Sequence, residues 1–293
     1  MSETYTYSMD APVSRPPQRV VSLVPSVTES LFDLNLGDRL VAITDYCIHP
    51  ADKVASLPRI GGTKNPDVQR IIQLKPDLVI ANQEENRKED VDRLLEARIP
   101  VWVTFPKTVA DAFNLLWNIM HVFDEPVMVP RVRLIEQTMD WVWRISEKRL
   151  EDQPCRVFVP IWLDPLMTFN AETYASDLLR ICGGINVFAE RERLYPLKAD
   201  LGEQAPSSEP GRDTRYPRVT LDEVVAAQPD LILLPSEPFP FTQSHLSLFA
   251  GLDIPAAHNN RIEFIDGSLL TWHGTRIAHA LNVLPALISA GEN

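Results

Sequence analysis

The 293-residue chain holds only three cysteines, Cys47, Cys155 and Cys182, unevenly spaced and without a C-x-x-C pair. An odd count leaves at least one thiol free, so no disulfide framework is expected. Basic residues are the minority: 28 Lys and Arg stand against 40 Asp and Glu, a net charge of −12. That balance excludes nucleic acid, whose phosphates need a basic stripe. It excludes docking on an anionic membrane surface as well. An anionic small ligand is still allowed, because a local basic pocket can sit in an acidic protein. No run of about 18 uncharged apolar residues occurs, so no membrane span is expected. The opening MSETYTYSMDAPVSRPPQ lacks the basic start and apolar run of a secretory signal. As written, the chain is expected in the cytoplasm; a truncated start would return it to the periplasm or cell surface.

Glycine is scarce too, with 11 residues. Gly61-Gly62 and Gly183-Gly184 lack the spacing of a phosphate-cradling loop, and neither an H-E-x-x-H nor a Ser-His-Asp order is present. Catalysis therefore has little support, and a non-enzymatic binding protein is expected. Cys47 and His49 could share a metal, but a closed structural zinc site takes four ligands and no second such pair exists.

Hydrophobic residues make up 45% and charged residues 23%, a mix that supports a sizeable core in one large or two ordinary domains. Pro25, Pro106, Pro160 and Pro235 each follow a strand-like run, which places rigid turns at strand ends. The chain also contains itself twice. QRIIQLKPDLVIANQE (69–84) and DEVVAAQPDLILLPSE (222–237) share a short helix, x-Pro-Asp-Leu, an apolar strand and a polar turn ending in Glu, at an offset of 153 residues. A helix cannot run through such a proline, so it stops there and the strand begins.

The flanking segments keep one order in both halves. RVVSLV (19–24) and RVFV (156–159) read as first strands, followed by helices, the second over 175–181. PVWVTF (100–105) and RIEFI (261–265) read as later strands. Ser26 with Glu29, and Thr220 with Glu223, have capping-box spacing; Asn65-Pro66 reads as an N-cap followed by proline at the first helical position. Strands alternating with helices imply parallel sheets, and strands as apolar as LVI (78–80) imply sheets covered on both faces. Residues 127–150 have apolar residues at helical spacing (Leu134, Met139, Val142, Ile145) and no glycine, which predicts a rigid helix of about 30 Å. The expected fold class is α/β, two Rossmann-like lobes with parallel sheets joined by one long α-helix. Its parts are an extended or disordered segment 1–18, an N-terminal lobe 19–126, the linking helix 127–150 and a C-terminal lobe 151–293. Residues 201–217 read as a surface loop.

Four stretches carry a family resemblance over most of the chain: RVVSLVPSVTESLFDLNLGDRLVAIT (19–44), GGTKNPDVQRIIQLKPDLVIA (61–81), LLRICGGINVF (178–188) and VTLDEVVAAQPDLILL (219–234). Together they resemble the helical-backbone (class III) substrate-binding proteins of ABC-type uptake systems, which serve cobalamin and iron chelates. The resemblance implies lobes facing each other across a shallow cleft, with closure limited by the long helix. It implies a monomeric receptor that needs no cofactor and binds a metal chelate, a corrinoid before an iron–siderophore or haem. It also implies an ABC transporter permease as partner, docked through an acidic residue early in the helix before each x-Pro-Asp strand. Asp222 matches that position in the second half; Gln69 stands there in the first, with Asp67 two residues away. The export signal or lipid anchor of the family is not visible, which keeps open an intracellular ligand sensor or enzyme on the same fold.

In open α/β sheets ligands bind beyond the carboxyl ends of the strands, so the turns there hold the candidate ligand-binding residues. These are Ser26, Tyr46, Lys64, Asn65, Glu84, Glu85, Asn86, Trp162, Phe169, Asn170, Trp272, His273 and Arg276. Trp272 offers a flat face to a corrin or porphyrin, or it caps the core. His273 is a candidate metal ligand or donor, or it bonds a backbone carbonyl. Trp162 and Phe169 are candidates for a facing wall. The polar run 82–87 could meet ligand amides or a cation, or it is a solvated helix start. Lys64 could meet a phosphate or carboxylate, or it is a surface lysine on a glycine turn. Trp102, Trp117, Trp141 and Trp143 are expected in the core.

Overall fold

The protein is described by a computed structural model covering residue 8, residues 10–207 and residues 211–290. Most of the expected N-terminal segment, residues 1–7 and 9, lies outside the described residues, as do residues 208–210 of the expected loop. The chain divides into two compact units.

The first unit runs β1 (Val20–Ser22), α1 (Pro25–Asp33), β2 (Leu40–Ile43), α2 (Ala51–Val54), the short pair β3 (Gly61–Gly62) and β4 (Asn65–Pro66), α3 (Val68–Leu74), β5 (Leu78–Asn82), α4 (Lys88–Glu96), β6 (Val101–Thr104) and α5 (Val109–Phe123), then enters α6 (Val129–Asp152). Its sheet has the order β2-β1-β5-β6, all parallel. Every residue of β1, β5 and β6 is buried, as apolar strands covered on both faces must be.

The second unit runs β7 (Cys155–Phe158), the hairpin β8 (Trp162–Leu163) and β9 (Leu166–Met167), α7 (Tyr174–Ile181), β10 (Gly184–Asn186), α8 (Leu197–Asp200), α9 (Leu221–Ala227), β11 (Leu231–Pro235), α10 (Leu246–Ala250), α11 (Pro255–His258), β12 (Ile262–Ile265), α12 (Ser268–Thr271) and α13 (Ile277–Ser289). Its sheet order is β10-β7-β11-β12, again parallel. Both sheets therefore place the first strand second in line, with the x-Pro-Asp strand on its other side.

The duplicated residues form the same clamp in each unit. The Asp77 carboxylate accepts the N–H groups of Gln18 and Arg19, both at 2.8 Å, and Asp230 accepts the N–H of Arg156 at 2.9 Å. Arg19 in turn donates to the carbonyl of Leu74 at 2.7 Å, and Arg156 to that of Ala227 at 2.8 Å. Both helices end in a left-handed residue, Lys75 and Gln228. The x-Pro-Asp repeat is thus a device that pins the start of the first strand to the end of a helix, through charge-assisted bonds stronger than neutral ones.

Several local expectations change. α6 starts at Val129 and ends at Asp152, and its buried face is Val132, Ile135, Val142 and Ser146. Leu134 and Ile145, two of the residues whose spacing predicts the helix, are 64% and 46% exposed, and Trp141, expected in the core, is 64% exposed. Ser26 and Glu29 do not form a capping box: α1 begins at Pro25, its N-cap is Val24, and Ser26 lies inside the helix. Asn65-Pro66 is strand rather than helix start, because Asp67 caps α3 by accepting the N–H of Arg70 at 3.0 Å. The Thr220–Glu223 capping box is present, with both reciprocal bonds made.

The largest change concerns the segment Trp272–Ile277, which sequence order assigns to the C-terminal lobe and which belongs to the first unit. The N–H of Thr275 donates to Ser30 Oγ at 3.1 Å, and Arg276 Nη1 meets Glu29 Oε1 at 2.9 Å. Gly274 permits this approach. It has φ +87°, and a Cβ there would lie 2.3 Å from Ser30 Oγ.

Candidate functional site

In each unit the connections leave opposite sides of the first strand, so the crevice at the carboxyl end opens between β1 and β5 and between β7 and β11. In the first unit the turn after β5 is closed by its own hydrogen bonds and reaches the Leu23 carbonyl, just past β1, at 3.4 Å. The N–H of Asn82 donates to Asn86 Oδ1 at 2.7 Å, that of Glu84 to Asn82 Oδ1 at 2.8 Å, and Asn86 Nδ2 donates to the Thr63 carbonyl at 2.9 Å. Both asparagines are buried. Lys64 Nζ donates to the Glu84 carbonyl. Burial lowers the Lys64 pKa, while the charges of Glu85 and Glu84 oppose that shift. The polar run therefore holds two turns together, with Glu84 and Glu85 half-buried on it and Asn65 exposed at its tip.

The other candidates of this unit separate by exposure. Tyr46, on the turn after β2, is 62% exposed, and a Cβ on Gly62 would sit 3.3 Å from its ring. Cys47 beside it faces inward, 3.1 Å from Thr28 Oγ1 and 3.2 Å from Thr44 Oγ1, and burial pushes its thiol pKa up. His49 packs edge-on against Trp272 at 5.6 Å. Trp272 and His273 are 7% and 5% exposed. Ser26 Oγ lies 3.4 Å from both ring nitrogens of His273, and burial pushes this imidazole down to about 4, so it is neutral at pH 7. The Arg276 guanidinium sits 5.5 Å from the Trp272 ring centre while paired with Glu29. Ser26, Trp272, His273 and Arg276 are thus brought together, in the interior of the first unit.

In the second unit the crevice is aromatic. Trp162, in the turn after β7, is 43% exposed and meets Phe239, in the turn after β11, edge to face at 5.7 Å. Phe239 also contacts Phe241 at 4.8 Å and His245 at 5.3 Å. Phe169 and Asn170 are both 3% exposed; the Asn170 side chain accepts the Glu172 N–H and donates to the Thr214 carbonyl. Buried in this way, they form no open wall. Phe239 lies in the turn 237–241, one of the turns beyond strand ends that the sequence makes candidates, and His245 lies just past it, outside the candidate turns. The run Pro-Phe-Pro-Phe (238–241) directly after an apolar strand was the available signal.

Among the described residues no group of three or more His, Cys, Asp or Glu could hold a metal ion, and no helix is long and apolar enough to cross a membrane. Of the candidate docking residues, Asp222 is exposed in the first turn of α9, Gln69 is exposed on α3, and Asp67 serves as the α3 cap.

Residues 20–209 match the family described as periplasmic binding protein. The vitamin B12-binding protein of Yersinia pestis (strain Pestoides F) is 30% identical over 179 residues, 61% of this chain and 63% of that protein's length. The structure superposes on the periplasmic vitamin B12 binding protein of Vibrio cholerae with a TM-score of 0.74 at 20% identity, covering 95% of this chain and 99% of that one. It superposes on the periplasmic heme-binding protein RhuT of Roseiflexus sp. RS-1 with a TM-score of 0.70, also at 20% identity, covering 94% and 99%.

Proposed function

The chain belongs to the periplasmic binding protein family, and from that premise we propose that it is a receptor for a flat metal chelate, a corrinoid first, in an ABC-type uptake system. The observation that carries this reading is Trp162. Large aromatic side chains are usually buried for their apolar area, yet this one stands open at the strand-order reversal of the second sheet, where ligands of open α/β folds bind. Tyr46 offers a face of the same kind on the first unit. A corrinoid is favoured over haem because the relative at 30% identity is named for vitamin B12, although the spatial neighbours include both ligand types. The chelate is cargo, so no catalytic group is needed and none is assigned. Asp222 is the residue we assign to contact with a permease.

Calorimetric titration with cyanocobalamin, hemin and a ferric siderophore tests the reading. Cyanocobalamin is expected to bind most tightly. Trp162→Ala is expected to weaken it by about 1–3 kcal/mol, the range for loss of a stacked ring on an aromatic face, with the melting temperature nearly unchanged. Equal binding by wild type and variant would remove Trp162 from the site; binding of none of the three would overturn the receptor.

A further inference from the structure

His245 sits at the edge of the Trp162–Phe239 pair in a defined protonation geometry. The backbone N–H of Thr242 donates to His245 Nδ1 at 2.9 Å, and Thr242 Oγ1 lies 3.1 Å from the same nitrogen. A backbone N–H can only donate, so Nδ1 must accept; in the neutral ring the proton is therefore on Nε2. The ring is held further by Phe239 at 5.3 Å and Phe241 at 5.8 Å, both edge to face, and is half-buried. Nε2 makes no hydrogen bond with any described residue. A metal ligand needs an unprotonated nitrogen aimed at the ion, usually with the other ring nitrogen donating to a carbonyl or carboxylate. Here that second contact is reversed: it is a donor that faces the ring.

We propose that Trp162, Phe239 and His245 form one subsite for a conjugated ring that bears hydrogen-bond acceptors on its rim, where His245 Nε2–H donates to a peripheral amide or carboxylate oxygen and does not ligate the metal. This rests on the chelate-receptor reading and assigns a new residue to it. The subsite favours rings with carbonyl groups around the edge, because a donor fixed by Thr242 and wedged by two phenyl rings gives up little freedom on binding. It takes the ligand by its rim, so it is indifferent to what occupies the axial positions of the metal.

The experiment compares cyanocobalamin, whose axial positions are filled, with aquocobalamin, whose water exchanges readily, on wild type, His245→Phe and His245→Gln. Phe keeps the aromatic edge and removes the donor. Gln carries both an acceptor for Thr242 and a donor. His245→Phe is expected to weaken both corrinoids alike, by about 3- to 10-fold, the range of one hydrogen bond. His245→Gln is expected to keep most of the affinity, and the absorption bands of bound aquocobalamin should be the same in all three proteins. A loss confined to aquocobalamin, together with a band shift that only wild type produces, makes His245 a cobalt ligand and overturns the proposal. Unchanged binding by His245→Phe while Trp162→Ala weakens it overturns the proposal and leaves the receptor reading standing. If wild type binds neither corrinoid, nor hemin nor a ferric siderophore, the receptor reading falls and this proposal with it. Should His245→Phe lower the melting temperature strongly, the comparison of His245→Gln on the two corrinoids decides the same question.

Discussion

Trp272→Ala is expected to destabilise the protein by about 3–5 kcal/mol, as truncation of a buried Trp does, and to leave chelate affinity per folded molecule unchanged. The ring is 7% exposed, carries the Arg276 guanidinium on one side and meets the His49 ring on another. Its removal opens a cavity lined by the His49 ring and the Arg276 guanidinium, polar groups that cannot refill apolar space. Such a loss is a large share of the about 5–15 kcal/mol that a domain has in total. Denaturant unfolding and chelate titration on the one variant separate stability from binding. Intact stability with weakened binding would put Trp272 in the ligand site.

Arg276→Met is expected to cost about 3–5 kcal/mol as well, the usual result of removing one partner of a buried ion pair. The Arg276 and Glu29 side chains are each 9% exposed, and their 2.9 Å contact joins residues 247 apart in sequence. The variant deprives a desolvated carboxylate of its cation. The pair as a whole is less valuable than the single variant implies, because bringing two charges out of water offsets much of their attraction. The double variant Glu29→Met with Arg276→Met should therefore recover a substantial part of the loss. A double variant no more stable than the single one would show that the pair is itself a net source of stability.

These residues also show what the sequence could and could not reveal. The repeat was legible because the clamp at Asp77 and Asp230 needs the same residue types in both halves: a carboxylate facing N–H groups, an arginine facing helix-end carbonyls, a proline to stop the helix. The Thr220–Glu223 cap was legible because all its bonds fall within four residues. By contrast, Ser26 and Glu29 have the same spacing but face partners near residue 273, so a local rule assigned them to the wrong bond. The surroundings of His273 are set by Ser26, 247 positions away, and those of Trp272 by the distant His49 ring, which no pattern along the chain reports. The buried face of α6 is not legible for a related reason: Leu134 and Val142 are both apolar, and only the packed neighbours decide that Val142 faces in and Leu134 out. For the site, position at a strand's carboxyl end singles out Trp162, a ring that the fold leaves 43% exposed. Exposure could not be ranked among thirteen polar and aromatic turn residues, and seven of them are buried. His245 went unremarked because its role depends on the Thr242 N–H that fixes its proton.

Hydrogen–deuterium exchange with and without saturating cyanocobalamin is the most direct test that the second unit binds its ligand at the carboxyl edge of the sheet. Protection is expected in the turns 160–168 and 236–245, with the clamp at residues 228–230, on the opposite edge, unchanged. Protection at the clamp, or none in the two turns despite saturation, would contradict the account.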